Sequence, residues 1–285
     1  MRRILAATDF SARSDRAIRR AVLLANQFSA AITVLHVVND DQAELLVQAE
    51  SAATRQLLDA LCRSLQDRDG VTCMTEVRSA SAFQGILDAA RDHAADLVVL
   101  GEHRRQVLRD LFIGTTAERV IDFGESPVIM VSAVPAAFYR SVLVAVDLSD
   151  HSAHALKTFF ELGLGQQAHV TAMHAFETAG DTLIAASTMS DPERAAYLEQ
   201  ASADAAERLS NFLQDLSAKP DSICLKHGPA AAKIRECARE MGADLIVLGT
   251  KAYSGLKSVV WGSVSEEVLR MADRDVLTIP GRKMD

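Results

Sequence analysis

Aromatic residues are scarce in this 285-residue chain, at 5%, with one tryptophan and three tyrosines. A core of ordinary size must therefore be built from Ala, Val, Leu and Ile. Only four cysteines are present, Cys62, Cys73, Cys224 and Cys237, with no C-x-x-C pair and no metal-ligand spacing. They are expected to be small core or surface residues in a reducing compartment, and no metal site is expected. No apolar run approaches the ~20 residues of a membrane-spanning helix. The opening MRRILAATDF starts basic but offers only Ile4 to Thr8 before Asp9, too short for a secretory signal. The expected location is the cytoplasm. Basic residues are outnumbered, 30 against 38 acidic, and a net charge of −8 argues against general adhesion to nucleic acid.

What the chain does contain is a repeat. RRILAATDFS at Arg2–Ser11 matches YRSVLVAVDLS at Tyr139–Ser149. An offset of 138 pairs Asp9 with Asp147, Ser11 with Ser149, Ser14 with Ser152 and His36 with His174. DLVVLG at Asp96–Gly101 then matches DLIVLG at Asp244–Gly249 at an offset of 148, which continues through Gly114-Thr115 and Gly262-Ser263. Ten extra residues thus fall in the middle of the second copy, and are expected to lengthen the 181–192 loop and the helix after it. The expected domains are residues 1–134 and 139–285, with Ala133–Tyr139 as linker.

Each copy alternates short β-branched runs with longer amphipathic stretches, the pattern of βα units on a parallel sheet. Strands are expected near Ile4–Thr8, Ala31–Val38, Val71–Val77, Asp96–Leu100 and Val128–Ser132. Their counterparts lie near Val142–Val146, Ala168–Ala175, Ser222–Lys226, Asp244–Leu248 and Val276–Pro280. Ala17, Ile18, Ala21, Val22, Leu24, Ala25 and Phe28 mark one helical face by 3.6-residue spacing. The last strands leave edges that need cover, and pairing them within the chain would supply it.

In an open parallel sheet the ligand crevice lies beyond the carboxyl ends of the strands. Three features of each half fall there: Asp9 or Asp147 after strand one, Gly101 or Gly249 ending strand four, and Gly114-Thr115 or Gly262-Ser263 opening the last helix. Glycine lets backbone N–H groups approach a phosphate, and a helix N-terminus adds partial positive charge.

The segments TDFS, LHVV, DLVVLG and GTTAERV, with VDLS, MHAF, GPAAAKI, DLIVLG and GSVSEEV, resemble the universal stress protein family over both halves. The family's phosphate motif is G-x2-G-x9-G-[ST]. The chain reads Gly101…Arg104…Gly114-Thr115 and Gly249…Ala252…Gly262-Ser263, with both spacings kept and the middle glycine replaced each time. The resemblance implies an α/β fold of two tandem five-stranded parallel-sheet domains, strand order 3-2-1-4-5, helices on both faces, joined as an intramolecular pseudo-dimer. It also implies ATP as ligand, alone or with magnesium. Carried over by position, Asp9 and Asp147 face the adenosine, and Val37 and Ala175 lie beside the adenine. Gly101, Gly114 and Thr115, or Gly249, Ala252, Gly262, Ser263 and Val264, take the phosphates. The second half is the expected stronger site, because Ala252 takes less room than Arg104 and only that half has Gly228 and Gly255.

Plainer readings stand beside these. Thr115…Glu118 and Ser263…Glu266 spell capping boxes that need no ligand. Asp9 and Asp147 with Ser11 and Ser149 suit a βα turn and helix cap. His36 and His174 are expected to be strand-end imidazoles with one satisfied nitrogen. Three function classes follow. The first is a non-catalytic adenine-nucleotide-binding stress protein, and the second a scaffold with degenerate pockets acting by protein association. The third, an enzyme, is disfavoured because no HxGH or SGGxDS signature occurs, although slow ATP hydrolysis stays compatible with the sequence. No segment identifies a protein partner, and further homodimerisation of the tandem chain stays open.

Overall fold

The computed structural model describes residues 1–102, 115–178, 190–216, 219–250 and 263–281. The first half runs β1 (Arg3–Ala7), α1 (Ala12–Phe28), β2 (Ala31–Val38), α2 (Glu44–Asp69), β3 (Cys73–Ser79), α3 (Ala82–Asp92), β4 (Leu97–Gly101), α4 (Thr115–Phe123) and β5 (Val128–Val131). The second repeats it as β6 (Ser141–Ala145), α5 (Asp150–Glu161), β7 (His169–Phe176), α6 (Asp191–Asp215), β8 (Ser222–His227), α7 (Ala230–Glu240), β9 (Leu245–Gly249), α8 (Ser263–Arg270) and β10 (Asp275–Ile279).

The strands form one ten-stranded sheet in the order β3-β2-β1-β4-β5-β10-β9-β6-β7-β8. Each half is parallel with the expected order, and the halves meet where β10 runs antiparallel to β5, Val276 opposite Met130 and Thr278 opposite Val128. The edge that each half would expose is thereby closed inside the chain. Successive side chains of a strand face opposite sides, so Ile4 and Ala6 join one core while Leu5 joins another. The first core packs under α1, α2, α5 and α6, the second under α3, α4, α7 and α8, and each runs across both halves. Helices on both faces explain why the central strands are apolar runs rather than alternating ones. The expected face of α1 is the buried one, Ala17, Ile18, Ala21, Val22, Leu24 and Ala25.

Four expectations are corrected. Asp96 and Asp244 stand just before their strands rather than in them. The Asp96 carboxylate accepts from the backbone N–H groups of Arg2 and Arg3 at 2.6 and 2.9 Å. Asp244 does the same for Arg140 and Ser141 at 2.8 and 3.2 Å, so each aspartate clamps the entry of its half's first strand. The strand expected at Val71–Val77 is Cys73–Ser79, its register set by Ile32 opposite Cys73. The extra residues of the second half do not lengthen its helix. Its α6 has 25 residues against 26 in α2, and residues 179–189, where most of the lengthened 181–192 loop is expected, lie outside the described residues. The cysteines, lastly, are not all simple thiols, for Cys62 and Cys73 form a disulfide between α2 and β3.

The linker is docked, not loose. Arg20 of α1 pairs with Asp275 at the start of β10, Nε to Oδ2 2.9 Å, both side chains buried. The same carboxylate accepts from the Tyr139 hydroxyl at 2.7 Å and from the Ser132 and Ala133 N–H groups at 3.0 and 3.2 Å. Arg20 also donates to the Ala137 carbonyl at 2.8 Å and lies 4.1 Å over the Tyr139 ring. One charge network thus ties the first half, the linker and the second half. Limited proteolysis is therefore expected to leave cleaved halves co-eluting at the intact protein's volume; halves that elute separately would contradict the shared sheet.

Candidate functional site

Each half carries a cavity at the carboxyl ends of its strands, between the first and fourth, where strand order reverses. Their volumes are about 260 Å³ in the first half and about 220 Å³ in the second. They are copies: Ala7, Asp9, Ser14, Val37, Ala82, Ile86 and Gly101 line one, and Ala145, Asp147, Ser152, Ala175, Ala230, Ile234 and Gly249 the other. The structure therefore gathers Asp9, Val37 and Gly101 in one place and Asp147, Ala175, Gly249, Ser263 and Val264 in the other. Thr115 opens α4, and its neighbour Thr116 lines the first cavity. Gly114, Ala252 and Gly262 of the expected phosphate segments, with Arg104 and Gly255, lie outside the described residues.

The turn that places each aspartate is tight. One residue separates Asp9 from the helix cap Ser11, and one separates Asp147 from Ser149. That residue takes a left-handed backbone in both halves, Phe10 at φ 57° and Leu148 at φ 64°. Such a conformation costs a non-glycine residue roughly 1–2 kcal/mol. Local hydrogen bonds hold it. The Ser11 N–H donates to Asp9 Oδ1 at 3.0 Å, as the Ser149 N–H does to Asp147. The Ser11 and Ser149 hydroxyl oxygens accept from the N–H groups of Ser14 and Ser152 at 3.4 and 3.3 Å, capping α1 and α5. The turn-and-cap role and the cavity-lining role thus coexist in the same carboxylates.

Burial works to raise the Asp9 carboxyl, but hydrogen bonds from Ser11 and Ser14 and the charge of Arg13 outweigh it. Burial works likewise on Asp147, and hydrogen bonds from Ser149 and Ser152 outweigh it. Both stay below the ordinary aspartate value, so each cavity holds an ionised acceptor beside an apolar wall. His36 donates from Nδ1 to the Thr8 carbonyl at 2.8 Å and His174 to Val146 at 2.8 Å, the satisfied strand-end imidazoles expected. The ring of Phe10 rests 4.9 Å from that of His36.

The strand-four glycines have a packing reason of their own. A Cβ on Gly101 would stand 2.7 Å from the Arg13 carbonyl oxygen, and one on Gly249 3.2 Å from that of His151. The first turn of α1 crosses the strand end too closely for a side chain at Gly101, and that of α5 leaves only a tight fit at Gly249. The sequence reading missed Ala82, Ala230, Ile86 and Ile234 as lining residues. The offset of 148 that pairs them was the available signal. Among the described residues no group of three or more His, Cys, Asp or Glu side chains could hold a metal ion, and no helix is long and apolar enough to cross a membrane.

Fold and site define a tandem, doubly wound α/β protein with a crevice at the carboxyl ends of the strands in each half. Comparison with known proteins then gives the family. The family model for the universal stress protein family matches residues 1–132 and again 138–280, and the chain belongs to that family. A universal stress protein of Mycolicibacterium smegmatis is 27% identical over 98% of this chain and 97% of its own length. The Mycobacterium tuberculosis universal stress protein Rv2005c is 24% identical over 94% of each. Bacillus subtilis YxiE, 28% identical, matches 50% of this chain with 99% of its own, as a single-repeat relative would. Among solved structures, Pseudomonas aeruginosa PA1789, described as functionally unknown, superposes with a TM-score of 0.72 at 20% identity, covering 99% of this chain and 93% of that one. A universal stress protein of Archaeoglobus fulgidus gives 0.69 at 18% identity, covering 98% of both. These two likenesses bear on the fold alone.

Proposed function

We propose that the protein is a non-catalytic, cytoplasmic stress or signalling protein that binds adenine nucleotide in these crevices, ATP with or without magnesium, and most strongly in the second half. The observation that carries the reading is the duplicated cavity with an ionised aspartate at the end of the first strand and an apolar wall beside it. A carboxylate can accept from ribose hydroxyls, and Val37 or Ala175 suits the face of a purine. The residues present fit the nucleoside end of the ligand. The phosphate end falls to Gly101, Thr115, Gly249, Ser263 and Val264 with Gly114, Ala252 and Gly262. Preference for the second half rests on the substitution of Ala252 for Arg104 and on Gly228. That glycine turns the chain from β8 into α7 at φ 122°, where the first half has Ala80.

The test is cavity filling. Ala82 and Ala230 are equivalent first residues of α3 and α7, each at a cavity wall and neither fully buried. Ala230→Phe is expected to abolish most of the heat of ATP binding in calorimetry, and Ala82→Phe to leave most of it. The reverse pattern would move the stronger site to the first half. No heat from the unmodified protein, with no nucleotide released from fresh preparations by acid, would favour the scaffold, for which the engagement of both aspartates in their own turns already speaks.

A further inference from the structure

The four cysteines form two pairs, one on each outermost strand of the sheet. Cys73 of β3 is already bonded to Cys62 of α2. Cys224 of β8 and Cys237 of α7 are free thiols whose sulfurs stand 2.8 Å apart, Cys237 buried and Cys224 partly accessible. The second pair is no relic of the repeat. By the offset of 148 its counterparts in the first half are Glu76 and Ala89. The two pairs also tie to opposite faces, since α2 covers one core and α7 the other. Close by, Lys226 of β8 reaches Glu236 and Glu240 of α7 at 3.3 and 2.6 Å, so the same strand and helix are joined ionically at the surface.

We propose that Cys224 and Cys237 are a redox-modification site, closed by a peroxide to an intramolecular disulfide that pins α7 onto the edge strand β8. The sulfurs need to close only from 2.8 Å to the bonded distance of ~2.05 Å, so strand and helix keep their places. Cys224, the more accessible thiol, gives up its proton and attacks one peroxide oxygen. The O–O bond breaks, water leaves, and the sulfur becomes a sulfenic acid. Cys237 then attacks that sulfur, its proton leaving with the displaced hydroxyl as a second water. Two thiols and one hydrogen peroxide give one disulfide and two waters, the two electrons passing from sulfur to oxygen. Burial, the Cys224 sulfhydryl and its charge push the Cys237 thiol up to about 12. It is thus a poor first nucleophile and acts as the resolving partner, and the site responds slowly. Ile234, one turn before Cys237, and Met173, opposite Cys224 on β7, both line the second cavity. Closure therefore stiffens one wall of that cavity, whatever ligand it takes.

The experiment uses the full chain, treated with hydrogen peroxide, alkylated under denaturing conditions and mapped by mass spectrometry. Expected is loss of both free thiols in the second half, with the Cys224 and Cys237 peptides recovered as one species two hydrogens lighter and separated by reductant. The Cys62–Cys73 bond serves as internal reference. In Cys237→Ser, Cys224 should stop at the sulfenic acid, captured by a dione probe. In Cys224→Ser, Cys237 should stay alkylatable. Hydrogen exchange over 230–240 should slow in the oxidised full-length protein and recover on reduction. Thiols that stay alkylatable after peroxide, or Cys224 oxidised without a cross-link in the unmodified sequence, would overturn the proposal. Because none of these readouts uses nucleotide, a failed ATP titration leaves them intact.

Discussion

Asp275→Ala is expected to destabilise the protein by about 3–5 kcal/mol, the cost of breaking a buried ion pair from one side. The Asp275 side chain is 0% exposed and accepts four hydrogen bonds, from Arg20, Tyr139, Ser132 and Ala133. Truncation strands the Arg20 cation, itself 4% exposed, with the Ala137 carbonyl and the Tyr139 ring as its remaining partners among the described residues. It also leaves the Tyr139 hydroxyl without its acceptor. Burial, and then the charge of Asp275, hold that hydroxyl well above the ordinary tyrosine value, so it remains a donor at any working pH. Because the network joins both halves to the linker, the loss should fall on their coupling. Urea unfolding, followed by circular dichroism and by fluorescence, should pass from one transition to two that the probes report separately. The double variant Arg20→Met with Asp275→Asn removes both charges near the original volumes and keeps an amide oxygen to accept from Tyr139, so it should recover part of the loss. An Asp275→Ala midpoint within error of the parent's would show that the network contributes nothing to the union of the halves.

Neither partner of that network stands in a repeated motif, which is why the sequence concealed it. Arg20 has Thr158 as its counterpart at the offset of 138, and Asp275 has Pro127 at 148. The repeat exposes what both halves need, whereas the junction is made once. What both halves need was legible in detail: the buried face of α1, the aspartates after the first strands, and the glycines ending the fourth, with strand order supplied by the family resemblance. Periodicity cannot tell a strand residue from one that hydrogen-bonds the neighbouring strand's start, so Asp96 and Asp244 were drawn into strands they only adjoin. Phe10 and Leu148 illustrate a different limit. Their left-handed backbone follows from having one residue to turn from strand to helix, and nothing in an apolar side chain advertises it. The Cys62–Cys73 bond joins the last turns of a helix to the strand after it, a contact that only the fold creates. At the cavities, the aspartates and glycines were readable because they stand at the carboxyl ends of parallel strands, where ligand crevices lie, while Ile86 and Ala82 look like any helix residue.

Asp122→Asn, by contrast, should stabilise the protein, by a margin that grows from about pH 4 and levels off above about 7. Asp122 lies in the last turn of α4, half-buried, and its carboxyl is pushed up to about 7. Burial is the main cause, followed by the charges of Glu118 one turn earlier and of Glu266 on α8 in the other half. The carbonyl end of a helix is also the wrong end for a negative charge. The folded protein thus holds a proton that the unfolded chain releases near the ordinary aspartate value of 3.8. With the folded value raised, the stabilisation is fully present below the unfolded value and is lost as pH rises to about 7. Full linkage over that span would be worth ~4 kcal/mol, and solvent screening at a half-exposed site reduces it to roughly 2 kcal/mol. Asparagine keeps the shape of the protonated acid without the charge. Its variant should match the parent at pH 4 and exceed it at pH 8, read as a higher urea midpoint at unchanged slope. The second half indicates a stronger change still. Arg270 occupies the equivalent place in α8, a cation at the favourable helix end. Asp122→Arg should therefore raise the pH 8 midpoint at least as far as asparagine does, with Glu118 and Glu266 as neighbours of opposite sign. A gain from Asp122→Asn that is equal at pH 4 and pH 8 would mean that the carboxyl titrates alike in the folded and unfolded chain, and the convergence of three acids across the two halves would then hold no proton at neutral pH.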